Sequence, residues 1–389
     1  MSEAKTYLRV DSSDEDTVPS RHELGNVLIT GVTGFLGTHI LSEYLRTSSG
    51  KAYCLIRGTS KDDCAVRLNK LFNYYFGDSC IGNERVEIVC GDITKPIICD
   101  ADIDMVFHAA ASVKHYGSYE YFHSVNVEGT KNIIAFAKEK RARLLHISTL
   151  SISGNSFDNF EPSISSNRYF SEKNIFIGQN LNNVYARSKF EAERAVFDSM
   201  LDGLEANICR MGNISNRRSD SKFQINYQSN ATLKRLKAMI ELGLIPDNLK
   251  EIKLDFSPVD DSAKAIISIA KCFNDEYTVF HINNCNEVSL ENFVAILGNL
   301  GIDIAAVPEK EFFDSLHESS KDENKEYLLE SFINDMDESE HLNYQSNIII
   351  DSKFSNGYLN AIGFKWSEID YDYIKKWLGY FVKIGYINV

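Results

Sequence analysis

The sequence predicts an α/β fold: a doubly wound parallel sheet over the first half of the chain, then a smaller, mostly helical C-terminal lobe. Three observations predict it. From Asn26 to about residue 215 short apolar runs alternate with longer amphipathic stretches, a glycine-rich turn follows the first run, and the texture changes after residue 215. Apolar runs of strand length are the mark of strands covered on both faces. Their alternation with helices makes them parallel neighbours in one sheet.

The elements follow in order. The strand runs are NVLIT (26–30), AYCLIR (52–57), VEIVCG (86–91), MVFHAA (105–110), LLHIST (144–149) and ANICRM (206–211). Helical patterns lie between them at Gly37–Thr47, Asn126–Lys140 and Tyr185–Leu201. Beyond residue 215, residues 222–245 read as helical, 251–257 as extended, 258–273 as helical and 278–283 as extended. The acidic stretch 309–341 is expected to be helical and exposed, and the tail 347–389 is rich in aromatic residues. The expected division is an acidic flexible linker over 1–22, a dinucleotide-binding Rossmann domain over 23–215 and a substrate lobe over 216–389. The strand and helix around 251–283 return to the first domain.

Composition narrows the function. The 389 residues carry 41 Lys and Arg against 55 Asp and Glu, a net charge of −14, which disfavours nucleic acid as a partner. Much of the excess is local, since residues 301–350 hold 13 acids against 3 bases. No run reaches the roughly 18 apolar residues of a membrane helix, and the N-terminus has no apolar core of a secretory signal. The eight cysteines form no Cys-x-x-Cys pair, so reduced thiols in a cytoplasmic protein are expected, with no metal site.

The strongest single motif is Thr30-Gly31-Val32-Thr33-Gly34-Phe35-Leu36-Gly37, between a strand and a helix. Gly31 permits the tight turn, Gly34 lets backbone approach a pyrophosphate, and Gly37 permits close helix–strand packing. The N–H groups near Phe35 and Leu36 then face phosphate at a helix N-terminus. Arg57 closes the second strand where a carboxylate would accept from the ribose of NAD. An arginine suits the 2′-phosphate of NADPH, and Arg67 on the next helix adds a second cation. Arg57 as a solvated strand end is the alternative. Asp92-Ile93 falls where an adenine edge would lie, unless Asp92 only caps a turn. His108 is followed by Ala109, Ala110 and Ala111, small enough for close backbone approach, and Asn126 begins the next helix, where it is also a candidate N-cap.

Ser148-Thr149 ends the fifth run, and Tyr185-x-x-x-Lys189 follows on a helix. Residues four apart share a helix face. That pair suits proton transfer to a carbonyl oxygen, with the lysine ammonium favouring the phenolate of Tyr185 and Thr149 holding the oxygen.

Together these strings resemble an extended short-chain dehydrogenase/reductase. More narrowly, they are similar to the terminal thioester reductase domains of nonribosomal peptide synthetases and to their carboxylate-reductase and aminoadipate-reductase relatives. The matching strings are ITGVTGFLG, YCLIRG, GDIT, HAAASVKHYG with NVEGT, HISTLSISG, VYARSKFEAE, RMGNISNRRSD with FQINYQSN, and FSPVDDSAKAI, from about residue 24 to residue 267. The resemblance implies Thr149, Tyr185 and Lys189 as a catalytic triad. It implies Gly31, Gly34, Gly37, Arg57, Arg67, Asp92 and Asn126 as parts of the NADPH site, to which Thr33, Phe35, Leu36, Ile93, Ala109, Ala110 and Ala111 are added by position. The implied reaction is reductive release of an acyl or peptidyl thioester from a phosphopantetheine carrier protein, as an aldehyde or, after a second hydride, an alcohol. The implied unit is a monomeric domain. The alternative is a reductase or epimerase of a free carbonyl or sugar-nucleotide substrate. A basic island, Arg217, Arg218, Lys222, Lys234, Arg235 and Lys237 against Asp220 alone, is the expected meeting point for the carrier, unless it is a solvated helix face.

Overall fold

A computed structural model describes residues 21–80, 83–113, 117–154, 168–273, 278–322, 325–332 and 348–389. The acidic run Asp11–Asp16 and residues 114–116 of the HAAASVKHYG string lie outside them.

The apolar runs become strands β1 (Val27–Thr30), β2 (Ala52–Ile56), β3 (Val86–Cys90), β4 (Met105–His108) and β5 (Arg143–Thr149). After the short strand β6 (Arg168–Ser171) comes β7 (Ala206–Met211). With Val279–Ile282 at one edge they form a seven-stranded sheet in the order Val279–Ile282, β7, β5, β4, β1, β2, β3. Every pairing in it is parallel. β1, β4 and β7 are buried along their whole length, whereas the edge strand β3 is partly exposed. The order reverses between β1 and β4, and ligands of such sheets bind outside the carboxyl ends at that point.

The helices follow from their caps as much as from their apolar faces. Helix α1 (Phe35–Thr47) starts directly after the glycine turn. Helix α2 (Lys61–Phe76) is capped by Ser60, whose hydroxyl accepts from Asp63 N at 3.1 Å, and it ends at Gly77 with φ +68°. A short α3 (Tyr119–Phe122) runs through a π-helical turn, His123–Glu128, into α4 (Gly129–Lys140). Helix α5 (Val184–Leu201) is capped by Asn183, which accepts from Ala186 N at 3.0 Å.

The chain divides into two compact units. The first comprises the described residues of Met1–Ile214, Val259–Asn283 and Asn347–Lys365, and holds the sheet. Its last segment differs from expectation. The expected C-terminal lobe includes residues 347–365, yet Ile348–Asp351 pairs in parallel with β6 within the first unit. Strand partners this far apart in sequence leave no local trace.

The second unit comprises the described residues of Ser215–Pro258, Asn284–Ser346 and Trp366–Val389. Its helices are Ala231–Leu242, Leu290–Asn299, Glu309–Ser320, Glu326–Glu330 and Tyr371–Lys383. Aromatic packing forms its core: Trp377 lies 5.6 Å from Phe293 and 5.1 Å from Phe381, between ring centroids. Emptying one such position costs about 3–5 kcal/mol. Two expectations are corrected. Helix 222–245 shortens to Ala231–Leu242, because Asn230 caps it and accepts from Leu233 N at 2.9 Å. The acidic stretch is helical where described but not simply exposed, since Phe312, Phe313, Leu316, Leu328 and Phe332 are buried. Its charges occupy the outer faces of helices whose inner faces are apolar.

Candidate active site

The glycine turn lies at the carboxyl end of β1. Gly31 has φ +70°, and a Cβ there would sit 2.6 Å from Ala109 C and Ala110 N. The turn therefore lies backbone to backbone against the segment after β4, which explains why alanines stand there. A Cβ on Gly37 would collide with Gly31 O, and one on Gly34 would come within 3.1 Å of the same oxygen. Gly34 is exposed at the N-cap of α1 with no capping side chain, and the first helical turn has no acid. The turn at Phe35 and Leu36 thus places the N–H groups and positive dipole of a helix N-terminus at the carboxyl end of β1, with no acid in that turn. These residues fit a dinucleotide pyrophosphate.

Beside the turn, Arg67 donates from Nη1 to Arg57 O at 2.5 Å and from Nη2 to Thr33 Oγ1 at 3.5 Å. Both arginine side chains are exposed. Thr33, Arg57 and Arg67 thus form one cationic rim at the ends of β1 and β2. Asp92 Oδ1 accepts from Thr94 N at 2.9 Å and Thr94 Oγ1 at 3.0 Å, so one carboxylate oxygen does cap a turn. Ile93 is corrected. Its side chain belongs to the core against Gly129, and its carbonyl accepts from Asn132 Nδ2 at 2.8 Å, which leaves only its N–H for a ligand.

Asn126 is corrected too. It lies inside the π-helical turn rather than at a helix start, and it is 2 % exposed. Its Oδ1 accepts from Ser112 N at 2.7 Å, while Nδ2 donates to Ser112 O at 3.0 Å and Ser188 Oγ at 2.9 Å. Both side-chain hydrogens are spent tying the alanine segment to α5, so Asn126 shapes the site from behind it. His108 is a satisfied core histidine: Nδ1 meets Thr30 Oγ1 at 2.8 Å and Nε2 meets Thr130 Oγ1 at 3.0 Å. Burial, then the charge of Lys189, pushes it down to about 3.

The predicted triad comes together on facing elements. Four consecutive residues of β5 meet three residues of α5 spaced one turn apart. The Thr149 hydroxyl lies close enough to that of Tyr185 to favour its ionised form. Lys189 Nζ donates to Ile147 O at 2.7 Å and lies 3.4 Å from His146 Nε2. Glu193 Oε2 accepts from Ser148 Oγ at 2.7 Å. Glu193 also accepts from Arg210 Nε at 3.1 Å and Nη2 at 2.5 Å, a pair buried to 0 % and 1 % side-chain exposure.

Burial pushes the Lys189 ammonium down to about 8, partly offset by Glu193. Burial also raises Tyr185 above its ordinary value, against the lowering effect of the Thr149 hydroxyl. The expectation that Lys189 pulls Tyr185 toward phenolate is therefore corrected. Desolvation dominates, and Tyr185 keeps its proton at neutral pH, the form a proton donor needs.

Glu193, Arg210 and His146 are absent from the residues the sequence singles out. Signals for the first two exist. Glu193 continues the four-residue spacing of Tyr185 and Lys189, and Arg210 interrupts an otherwise apolar strand, where a buried charge demands a buried partner.

The basic island is corrected in its chemistry. Arg217 and Lys222 share Asp220 at 3.1 and 3.4 Å, and Arg218 pairs with Asp370 at 3.0 Å. Lys237 is buried against Glu241, with its ammonium 4.4 Å from the Tyr327 ring centre. Lys234 is exposed and Arg235 half-buried. Four of the six cations are thus paired within the second unit: two share the local Asp220, Lys237 meets Glu241 one turn along its helix, and only Asp370 is distant in sequence.

Comparison with known proteins agrees with the geometry. Residues 29–266 match the model of the NAD-binding family described as male sterility protein. The structure of a thiolation-reductase di-domain from an archaeal non-ribosomal peptide synthetase is 33 % identical, with a TM-score of 0.81 over 95 % of this chain and 78 % of that one. The reductase domain of the aureusimine biosynthetic cluster is 25 % identical, with a TM-score of 0.80 over 94 % and 92 %. A linear gramicidin synthase of Brevibacillus parabrevis is 25 % identical over 93 % of this chain, which spans only 7 % of that protein's length. With a parallel seven-stranded sheet, a glycine turn at the carboxyl end of β1 and Thr149, Tyr185 and Lys189 carried on β5 and α5, the chain belongs to this NAD-binding oxidoreductase family and, within it, to the reductase domains of non-ribosomal peptide synthetases.

Proposed function

We propose that this chain reduces a carrier-bound acyl or peptidyl thioester with NADPH and releases it as an aldehyde. The observation that carries the reading is the protonated Tyr185, beside the Thr149 hydroxyl and one helical turn from the buried Lys189, within the unit that holds the glycine turn. The dinucleotide, when bound, supplies the hydride that reduces the carbonyl carbon. Tyr185 and Thr149 donate to the carbonyl oxygen as negative charge develops on it, and Tyr185 is the proton source. Lys189, held by Ile147 O, keeps a positive charge behind Tyr185 and offers an N–H to the nicotinamide ribose. Release of the thiol then leaves the aldehyde, and a second round on the aldehyde gives the alcohol.

NADPH rather than NADH is supported by the Arg57–Arg67–Thr33 rim, which offers two cations and a hydroxyl to a 2′-phosphate. A carrier protein as partner is supported by the thiolation-reductase arrangement of the archaeal relative. The working division is a dinucleotide-binding unit that carries the triad and a second unit that receives the substrate.

The test is mass spectrometry of products from acyl-loaded carrier protein with NADPH. An aldehyde or alcohol freed from the carrier is expected. Turnover of free carbonyl or sugar-nucleotide substrates with no release from any loaded carrier would replace this reading with the soluble-substrate one.

A further inference from the structure

The Lys189 ammonium has three N–H donors, and two adjacent residues of β5 face it: Ile147 O at 2.7 Å and His146 Nε2 at 3.4 Å. We propose that His146 is a positioning residue for the reduction, its Nε2 accepting the second N–H of Lys189 so that a single N–H is left to the ligands of the site. The inference rests on the catalytic reading of Lys189 and assigns that lysine a dedicated partner.

The chemistry fixes the histidine's form. An ammonium only donates, so Nε2 must be the bare acceptor and the ring proton must sit on Nδ1. His146 is 0 % exposed, and its Nδ1 meets no hydrogen-bond partner among the described residues. Buried polar atoms are rarely left so. The contrast is His108 on the next strand, whose ring centre lies 5.3 Å away and whose two nitrogens are both met by threonine hydroxyls. His108 is held by its surroundings, whereas His146 touches a polar group through Nε2 alone, and that group is the catalytic lysine. Burial, then the charge of Lys189, keeps the His146 ring neutral, as an acceptor must be.

The groups facing Lys189 are few. From β5 there is His146, from β4 the neutral His108, and from its own helix Tyr185 and Glu193. Glu193 is itself bound to Arg210 of β7 and to Ser148. Loss of the imidazole therefore removes a neutral acceptor that favours the charged lysine. The lysine should then lose its proton at lower pH.

Two measurements decide it. In the intact protein, nitrogen NMR of 15N-labelled histidine should show His146 neutral with its proton on Nδ1 between pH 6 and 7.5. A proton on Nε2 would overturn the proposal without any variant. In kinetics, His146→Leu should move the alkaline limb of the kcat profile about one pH unit toward acid, a loss of about tenfold just above the limb. His146→Gln, with an amide oxygen as acceptor, should restore the limb. A uniform loss in a folded His146→Leu with an unmoved limb would reduce His146 to packing and sink the proposal. If His146→Leu does not fold, the NMR tautomer and the His146→Gln profile decide: a Gln limb displaced about one pH unit toward acid from that of the native protein counts against it. Lys189→Ala separates the two readings. Full turnover in that variant would defeat the catalytic assignment of Lys189, while the NMR tautomer would still report on His146 alone.

Discussion

Lys189 Nζ donates to the carbonyl oxygen of Ile147 across 2.7 Å, which fixes α5 to β5 two residues before Thr149. The price of that placement is desolvation, which brings the lysine down to about 8. Lys189 carries its charge below that pH and loses it above. Tyr185, pushed upward by burial, keeps its proton through the same range. Turnover should therefore fall as pH rises through about 8, with Lys189 and not Tyr185 as the titrating group. A pH profile of kcat/KM checks this, and a rate that stays flat to pH 10 would contradict it.

Tyr185→Phe should keep the fold and cofactor affinity and lose most turnover, because only the donor hydroxyl goes. General acids contribute about 10²–10⁴-fold. Thr149→Val should also be damaging, and doubly so: it removes the hydroxyl beside Tyr185 and the acceptor for Ser151 N at 3.2 Å. Melting temperature and NADPH titration establish that each variant is folded before rates are compared. A Tyr185→Phe protein that turns over at the native rate would end the triad assignment.

The cationic rim predicts at least tenfold tighter binding of NADPH than NADH, about 1.4 kcal/mol. Arg57→Ala and Arg67→Ala should each shrink the gap. Arg67→Ala should also loosen Arg57, since Arg67 Nη1 holds the Arg57 carbonyl. Calorimetric titration with both dinucleotides measures it, and equal affinities in the native protein would remove the 2′-phosphate from the account.

These residues are legible because their signals are local. A strand end, a glycine spacing and a Tyr-x-x-x-Lys turn declare themselves within a few residues. Asn126 misleads because its partners, Ser112 and Ser188, lie 14 and 62 positions away. The basic island misleads in the same way. Asp370, which neutralises Arg218, is 152 positions distant, and nothing near Arg218 announces it. Glu241, four residues from Lys237, is within reach of a helical reading and shows that charge should be counted along the face as well as along the chain.

Three of the buried histidines, His108, His146 and His281, should make the first unit acid-labile. Burial depresses each, His108 to about 3. A depressed group binds its proton in the unfolded chain near pH 6.5 but not in the folded one. The stability it contributes is present above 6.5 and is lost as pH falls below it, at about 1.4 kcal/mol per pH unit for each histidine, down to about 3 for His108. Urea midpoints at pH 7.5, 6 and 5 should decline with a steepening slope. Equal midpoints at pH 7.5 and 5 would show that the histidines are not the acid-sensitive groups.

Glu193 and Arg210 provide the sharpest test of the framework beneath the triad. The pair is buried on both sides, and Arg210 also donates to Ser171 O at 3.3 Å and Asn174 O at 2.8 Å, with Phe170 4.9 Å away. A buried pair adds little over an apolar replacement, but breaking one side leaves an uncompensated charge at about 3–5 kcal/mol. Glu193→Ala should therefore destabilise the protein strongly. Glu193→Leu with Arg210→Met should recover much of the stability, because no charge is then stranded. Activity should not recover with it. Glu193 also receives Ser148 Oγ and raises the proton affinity of Lys189 one turn away, and an apolar pair does neither. The double variant is thus expected to be folded, to bind cofactor and to show its alkaline limb shifted toward acid. Denaturant unfolding and a pH profile on the same preparation read both halves. If stability and activity return together, the ion pair only supports the fold and has no influence on Lys189.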